Sequence, residues 1–165
     1  MEAYPAVVNQ LVSRQINAEA QAALTYRTLA SYFSHPSVSY PGFSRYFARQ
    51  SQEEEGHAKA FADFHSLRGG WVCFGSLESP LVSGDFSFLR ALEEMALPLE
   101  NKVYDYLVQL QLEGDAPTQI FVEDFLLEQA KALGELNSLL TKARRLNGDP
   151  VALHLLDKEV GEMGA

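Results

Sequence analysis

The sequence predicts an all-α fold: a four-helix bundle with one long crossover between its second and third helices and a short fifth helix at the C-terminus. Three observations predict it. Apolar residues recur at alternating three- and four-residue steps through four stretches of about 25 residues each, rods of roughly 35–40 Å. The connection over residues 69–85 has no helical period and exceeds the roughly 2–8 residues of an ordinary helix turn, so it can run the whole length of a bundle and set the third helix parallel to the second. Finally, acids and one imidazole interrupt the apolar seams near mid-helix.

The 165 residues, 47% hydrophobic and 21% charged, suit a single domain over residues 1–165, with the bundle at about 6–146 and the fifth helix at about 150–160. No apolar run reaches the roughly 18 residues of a membrane helix, and the opening MEAYPAVVNQ lacks a basic stretch followed by an apolar one. The expectation is a soluble, cytoplasmic chain with no membrane partner. Its single cysteine, Cys73, rules out an intramolecular disulfide and fits a reducing compartment. A net charge of −9 argues against nucleic acid as a partner and suits either cation handling or ordinary solubility. Nothing points to a small organic substrate.

The first helix is expected from Pro5 or Ala6 to about Phe33, since proline is tolerated in a first turn. Val12, Ile16, Glu19, Ala22, Ala23, Tyr26, Leu29, Ala30 and Phe33 share its broad inner face, so a carboxylate lies inside an apolar stripe. Tyr26 sits two turns on, where it can offer a phenol to the bundle centre. The segment SHPSVSYPG then breaks the period as a short link.

The second helix is expected from about Phe43 to Leu67, closed by Arg68-Gly69-Gly70. Its seam reads Phe43, Phe47, Gln50, Glu54, His57, Phe61, Phe64. Four rings mark the face as buried, yet its middle holds an amide, a carboxylate and an imidazole. Burying a lone carboxylate costs several kcal/mol or raises its pKa, so Glu54 needs a cation or a proton to stay there. Glu54 and His57 also have the Glu-x-x-His spacing that aims one oxygen and one nitrogen ligand at a common point inside a helical bundle. In the crossover, Trp71, Val72, Cys73 and Phe74 are expected to pack along the bundle as an ordered strap.

The third helix should open near residues 83–86, capped by Asp85 or Ser87, and run to about Leu112 on the seam Leu89, Leu92, Ala96, Leu99, Val103, Tyr106, Leu110. Glu100 flanks that seam and points to the same interior edge, and Pro98 should kink the helix or remove a hydrogen bond just before it. Gly114-Asp115-Ala116-Pro117 stops and restarts the chain. A fourth helix follows to about Leu146, with Gln129 as its one polar seam residue near the centre and Lys142, Arg144 and Arg145 complementing the dipole at its end. Asn147-Gly148-Asp149-Pro150 closes it and starts the fifth helix, VALHLLDKEV, too brief to stand alone and so docked on the bundle or on a neighbouring subunit.

In such a bundle Glu19, Glu54, His57 and Glu100 converge. Three carboxylates and an imidazole suit iron, manganese or zinc. With Gln129 standing where a symmetric site would carry a second Glu-x-x-His, a second ion would be held loosely and exchange. Each feature also has an ordinary explanation. The Glu-x-x-His pair could lie on a solvated face, Glu19 could pair with Arg14 or Arg27, Glu100 with Lys102 or Arg90, and Tyr26 could be a core tyrosine. Glu53 and Glu55 face water or the rim of the site, and His35, His65 and His154 fall in a link or on polar faces.

RQINAEAQAALTYRTLASYF, YFARQSQEEEGHA, LRGG, MALPLENKV and FLLEQAKALGEL, in this order and spacing, resemble the animal-type ferritins and specifically their heavy, ferroxidase-active chains. The likeness runs from about residue 9 to about residue 150. It implies a ferritin-like bundle with a first iron site on Glu19, Glu54 and His57. A second site would use Glu54 as bridge and Glu100, with Gln129 and Tyr26 as outer partners and Glu53 as a transit carboxylate. The implied activity is oxidation of iron(II) by dioxygen or peroxide at a di-iron centre, two transient ions per subunit, other divalent metals able to substitute, with mineral storage in a twenty-four-subunit shell, alone or mixed with other ferritin chains. The alternative is a non-catalytic, mineral-nucleating or structural subunit of mixed shells. Two departures stand out. Gln119 and Val122 occupy positions where the family places pore-lining acids, with Asp115, Glu123 and Asp124 close by; and Gly56 replaces one inner-surface nucleation acid while Glu53 remains. The fifth helix is also shorter than usual for the family, which bears on the four-fold contacts.

Overall fold

The computed structural model describes residues 4–164. Among them the chain is helical with no strand: α1 (Ala6–Ser34), α2 (Pro41–Leu67), a third rod made of α3 (Phe88–Arg90), a π-helical turn (Ala91–Ala96) and α4 (Leu97–Glu113), then α5 (Ala116–Leu146) and α6 (Pro150–Glu162). Tyr4, just before α1, meets His65 at the end of α2, while Phe33 near the end of α1 packs edge-on to Phe43 at the start of α2, so the two helices are antiparallel. Phe88 stacks flat on Phe43 with centroids 3.8 Å apart, so the third rod begins where α2 begins and runs parallel to it. The crossover therefore traverses the whole bundle.

Local chemistry explains the boundaries. Pro41 was expected in the link but belongs to the first turn of α2, where its missing N–H would have had no intrahelical partner anyway. The third rod opens slightly later than expected, at Phe88. Of the two candidate caps it uses Ser87, whose Oγ accepts from the Arg90 N–H at 3.1 Å. Pro98 acts through hydrogen-bond register: Leu97 donates to Leu92, five residues back, and the π-helical turn ends at Ala96, one residue short of the proline that has no N–H to offer.

The strap differs from expectation. Tyr32 anchors it, accepting from the Phe86 N–H and donating to the Gly84 carbonyl, and the Gln21 amide pairs with both the N–H and the C=O of Glu78. Val82 and Phe86 pack partly on the core, but Trp71 and Leu81 are 92% and 94% exposed, and Phe74 and Leu77 are exposed too. An extended segment fixed by backbone hydrogen bonds has no helical face with which to bury its alternate side chains.

The short α6 docks on its own bundle. The Asp157 Oδ1 accepts from the Phe43 N–H at 2.8 Å, Arg49 donates to the carbonyls of Val160 and Gly161, and Leu156 and Val160 join the core. Gly42 makes this approach possible, because a Cβ there would lie 1.7 Å from the Asp157 carbonyl oxygen.

The core is two apolar clusters. One gathers Phe33, Phe43, Phe47, Phe88, Leu92 and Leu136; the other, toward the opposite end, gathers Val12, Phe61, Phe64, Leu107, Leu110 and Val122. Between them lies a polar belt: Glu19, Glu54, Glu100 and Gln129 are all buried.

Candidate metal centre

The belt is assembled from four rods. α1 contributes Glu19 and Tyr26, α2 contributes Glu54 and His57 one turn apart, α4 contributes Glu100 just after Pro98, and α5 contributes Gln129. One ligand atom from each of Glu19, Glu54 and His57 lies within 4.8 Å of the others. The His57 Nδ1 donates to the Glu54 Oε2 at 3.1 Å and stands 3.8 Å from the Glu19 Oε2. Gln15, one turn before Glu19, donates from Nε2 to the Glu19 Oε1 at 2.8 Å. The Glu19 Oε2 is buried and has no hydrogen-bond partner. A native structure rarely leaves such an acceptor orphaned, and a cation beside it supplies what is missing.

Glu100 lies beside this trio. Tyr26 donates its hydroxyl to the Glu100 Oε1, and Gln129 donates from Nε2 to the Glu100 Oε2 at 2.5 Å and to its backbone carbonyl at 3.1 Å. The ordinary pairings weighed for these acids are taken up elsewhere: Arg27 pairs with Glu55, Arg90 with Glu94, and Arg14 bonds Gln109 and lies over Tyr106, as does Lys102.

The electrostatics follow from three carboxylates around one imidazole. Burial opposes a charge on His57, but the Glu19 and Glu54 carboxylates outweigh it and push the imidazole up to about 11. Glu54 is raised well above the carboxylate range by burial and by the neighbouring Glu19 and Glu100 charges. For Glu19, burial is outweighed by His57, and the carboxyl is held low. Burial and the Glu100 carboxylate raise the Tyr26 phenol far above its usual value, so it stays a proton donor.

Two features escaped the sequence reading. Glu128 places its Oε1 3.3 Å from the His57 Nε2 and groups with Glu53 and His57 within 4.8 Å at the rim. Its signal is faint: it stands three residues after Phe125 and next to Gln129, at the exposed edge of the inward face. His65, assigned to a polar face, is fully buried, with the Tyr4 hydroxyl 3.0 Å from Nδ1 and the Ser13 hydroxyl 3.5 Å from Nε2. Tyr4 and the start of the strap at Gly70 and Trp71 cover the last turn of α2, so helical period alone misjudges its exposure. At the α4–α5 corner, Val122 is core, Asp115 is tied to Arg68 at 2.6 Å, and Glu123 and Asp124 are exposed.

Comparison with known proteins agrees with this architecture. A sequence model described as the Ferritin-like domain matches residues 9–146. The chain is 33% identical over 153 residues to soma ferritin of Lymnaea stagnalis, covering 90% of this chain and 87% of that one. It is 31% identical to the ferritin heavy chain of Echinococcus granulosus, covering 93% and 90% respectively. Among solved structures, a novel open pore ferritin from the hyperthermophilic archaeon Archaeoglobus fulgidus superposes with a TM-score of 0.86 at 32% identity, covering 97% of this chain and 99% of that one. The ferritin of the multicellular green alga Ulva pertusa gives 0.88 at 34%, covering 96% and 85%.

Proposed function

This chain belongs to the ferritin family of iron-storing proteins, and from that premise we propose that it is a ferroxidase: it oxidises iron(II) to iron(III) in the belt between its two core clusters and passes the product on for storage as mineral. The observation that carries the reading is the orphaned, buried Glu19 Oε2, facing Glu54 and His57 across a gap of ligand size. The donor set of carboxylates with one imidazole suits iron, which is substrate here.

In this reading Glu19, Glu54 and His57 take the first iron(II), and Glu54, shared with Glu100, bridges to a second. Tyr26 and Gln129 hold Glu100 in place. Anionic oxygen ligands favour iron(III) over iron(II), which lowers the cost of removing an electron. Two adjacent ions each give one electron to dioxygen, which with two protons becomes hydrogen peroxide; peroxide can serve as oxidant in turn. The amide of Gln129 binds a metal less strongly than a carboxylate, so the second ion is released readily and the centre turns over. Glu53 and Glu128 offer rim carboxylates for ions in transit.

Self-assembly into a twenty-four-subunit shell, alone or with other ferritin chains, belongs to the same proposal. The exposed Trp71, Phe74, Leu77 and Leu81 on the strap offer apolar side chains to which a neighbouring subunit could pack. No helix among the described residues is long and apolar enough to cross a membrane, and the free, exposed Cys73 suits the reducing cytoplasm as the place of work.

The test is anaerobic loading with iron(II) followed by oxygen, in the wild type and in Glu54→Ala. A fast rise in ferric absorbance that the variant loses supports the enzyme. Identical slow curves would assign the chain to the alternative, a non-catalytic cage subunit.

A further inference from the structure

Resting on the reading of Glu19, Glu54 and His57 as an iron site, we propose that Gln15 is a positioning residue that decides how Glu19 binds the ion: it occupies Oε1 and leaves Oε2 as the one oxygen presented. Gln15 is 0% exposed and Glu19 1%, so neither exchanges its partner for water. They are one helical turn apart on the inner face of α1, where side chains four residues apart meet.

The direction of the contact is fixed by chemistry. An ionised carboxylate only accepts, so the amide must present its NH2 to the Glu19 Oε1, as it does at 2.8 Å. The other end of the amide, the Gln15 Oε1, is buried without a partner, so no competing bond pulls the side chain elsewhere. The Glu19 Oε2 is equally without a partner and points toward the His57 Nδ1, 3.8 Å away. One oxygen is therefore engaged and the other directed.

The functional consequence concerns coordination number. A carboxylate with both oxygens free can close on a single ion and fill two of its positions. With Oε1 engaged, Glu19 fills one, and the ion keeps a position for an incoming oxygen species, which a reactive metal site requires. Hydrogen-bond partners of metal ligands typically contribute about 10–100-fold in affinity or activity.

The experiment uses zinc(II), which occupies carboxylate–imidazole sites without redox change, on the full-length protein: wild type, Gln15→Leu, Gln15→Met and His57→Ala. Both Gln15 variants keep the bulk and remove the donor, and the pair guards against one of them failing to fold. Zinc affinity is measured by calorimetry and the Glu19 binding mode by diffraction from zinc-loaded crystals. The expected result is one Glu19 oxygen on zinc in the wild type, two in the Gln15 variants, and an affinity lower by about 10–100-fold in those variants. Wild-type affinity with single-oxygen binding in both variants, or two-oxygen binding in the wild type, overturns the role of Gln15 while leaving the iron site intact. Zinc binding that His57→Ala leaves unchanged overturns the site reading itself.

Discussion

Gln129 of α5 donates through one amide nitrogen to both the side chain and the backbone of Glu100 in α4, at 2.5 Å and 3.1 Å. With Tyr26 on the other carboxylate oxygen, Glu100 is held from two helices and set apart from the Glu19, Glu54 and His57 trio. The two halves of the centre should therefore be separable. Anaerobic titration with zinc(II) is expected to show two binding events per subunit in the wild type and only the tighter one in Glu100→Ala. Loss of both events, or retention of both, would count against the division.

Proton release reports the electrostatics. His57 is pushed up to about 11, so at neutral pH it carries a proton in the ion-free site, while burial and the neighbouring Glu19 and Glu100 charges raise Glu54 above an ordinary carboxyl. Acid favours the protonated, ion-free state, and binding must weaken as pH falls. The His57 proton should leave with the first ion at pH 7, and affinity should rise by about tenfold per pH unit over that range. Calorimetry in buffers of different ionisation enthalpy checks the count; an affinity indifferent to pH contradicts it.

His65 makes a second pH-dependent contribution, to stability. Burial lowers its pKa, so the folded chain favours the neutral imidazole, hydrogen-bonded beside Tyr4 and Ser13, with the Arg68–Asp115 pair close by. Because the folded-state pKa lies below the unfolded value of about 6.5, the stabilisation is complete above that pH and is lost as pH falls through the folded value. Denaturant unfolding between pH 8 and pH 5 should show a smaller acid loss in His65→Gln than in the wild type. Equal losses would remove His65 from the account.

Much of this was legible in the sequence, for identifiable reasons. Helical period put Glu19, Glu54, Glu100 and Gln129 on inward faces because a lone polar residue in an apolar seam is conspicuous. Glu128 was not legible, because an acid at the edge of a seam reads as solvated until the fourth rod is placed. His65 was missed because its cover comes from residues far away in sequence, and the exposure of Trp71 and Phe74 because periodicity carries no information about an extended strap. Pro98 announced a disturbance, but the π-helical form it took depends on which carbonyl Leu97 reaches.

The junction of α2 and α6 offers a mutational test of the docking. In Gly42→Ala the new methyl would meet the Asp157 carbonyl at 1.7 Å, and backbone on both sides leaves no flexible group to yield. A loss of about 1–3 kcal/mol is expected, with α6 newly open to protease, because relief requires the helix to move off the bundle. Wild-type stability and protection together would show that α6 is held elsewhere.

The α4–α5 corner offers a test of the route by which iron enters. With Val122 in the core and Asp115 paired to Arg68, Glu123 and Asp124, together with Glu113 at the end of α4, are exposed acids able to attract cations there. Glu123→Gln with Asp124→Asn should slow iron uptake most at low ionic strength, where unscreened charge steers best. Uptake equal to the wild type at low salt would place the route elsewhere.

The most direct measurement is anomalous diffraction at the iron edge from crystals soaked anaerobically in iron(II). A peak coordinated by Glu19, Glu54 and His57, with a weaker one shared by Glu54 and Glu100, is the predicted result. Iron found only on exposed acids, with the buried Glu19 Oε2 still lacking a partner, would contradict the account.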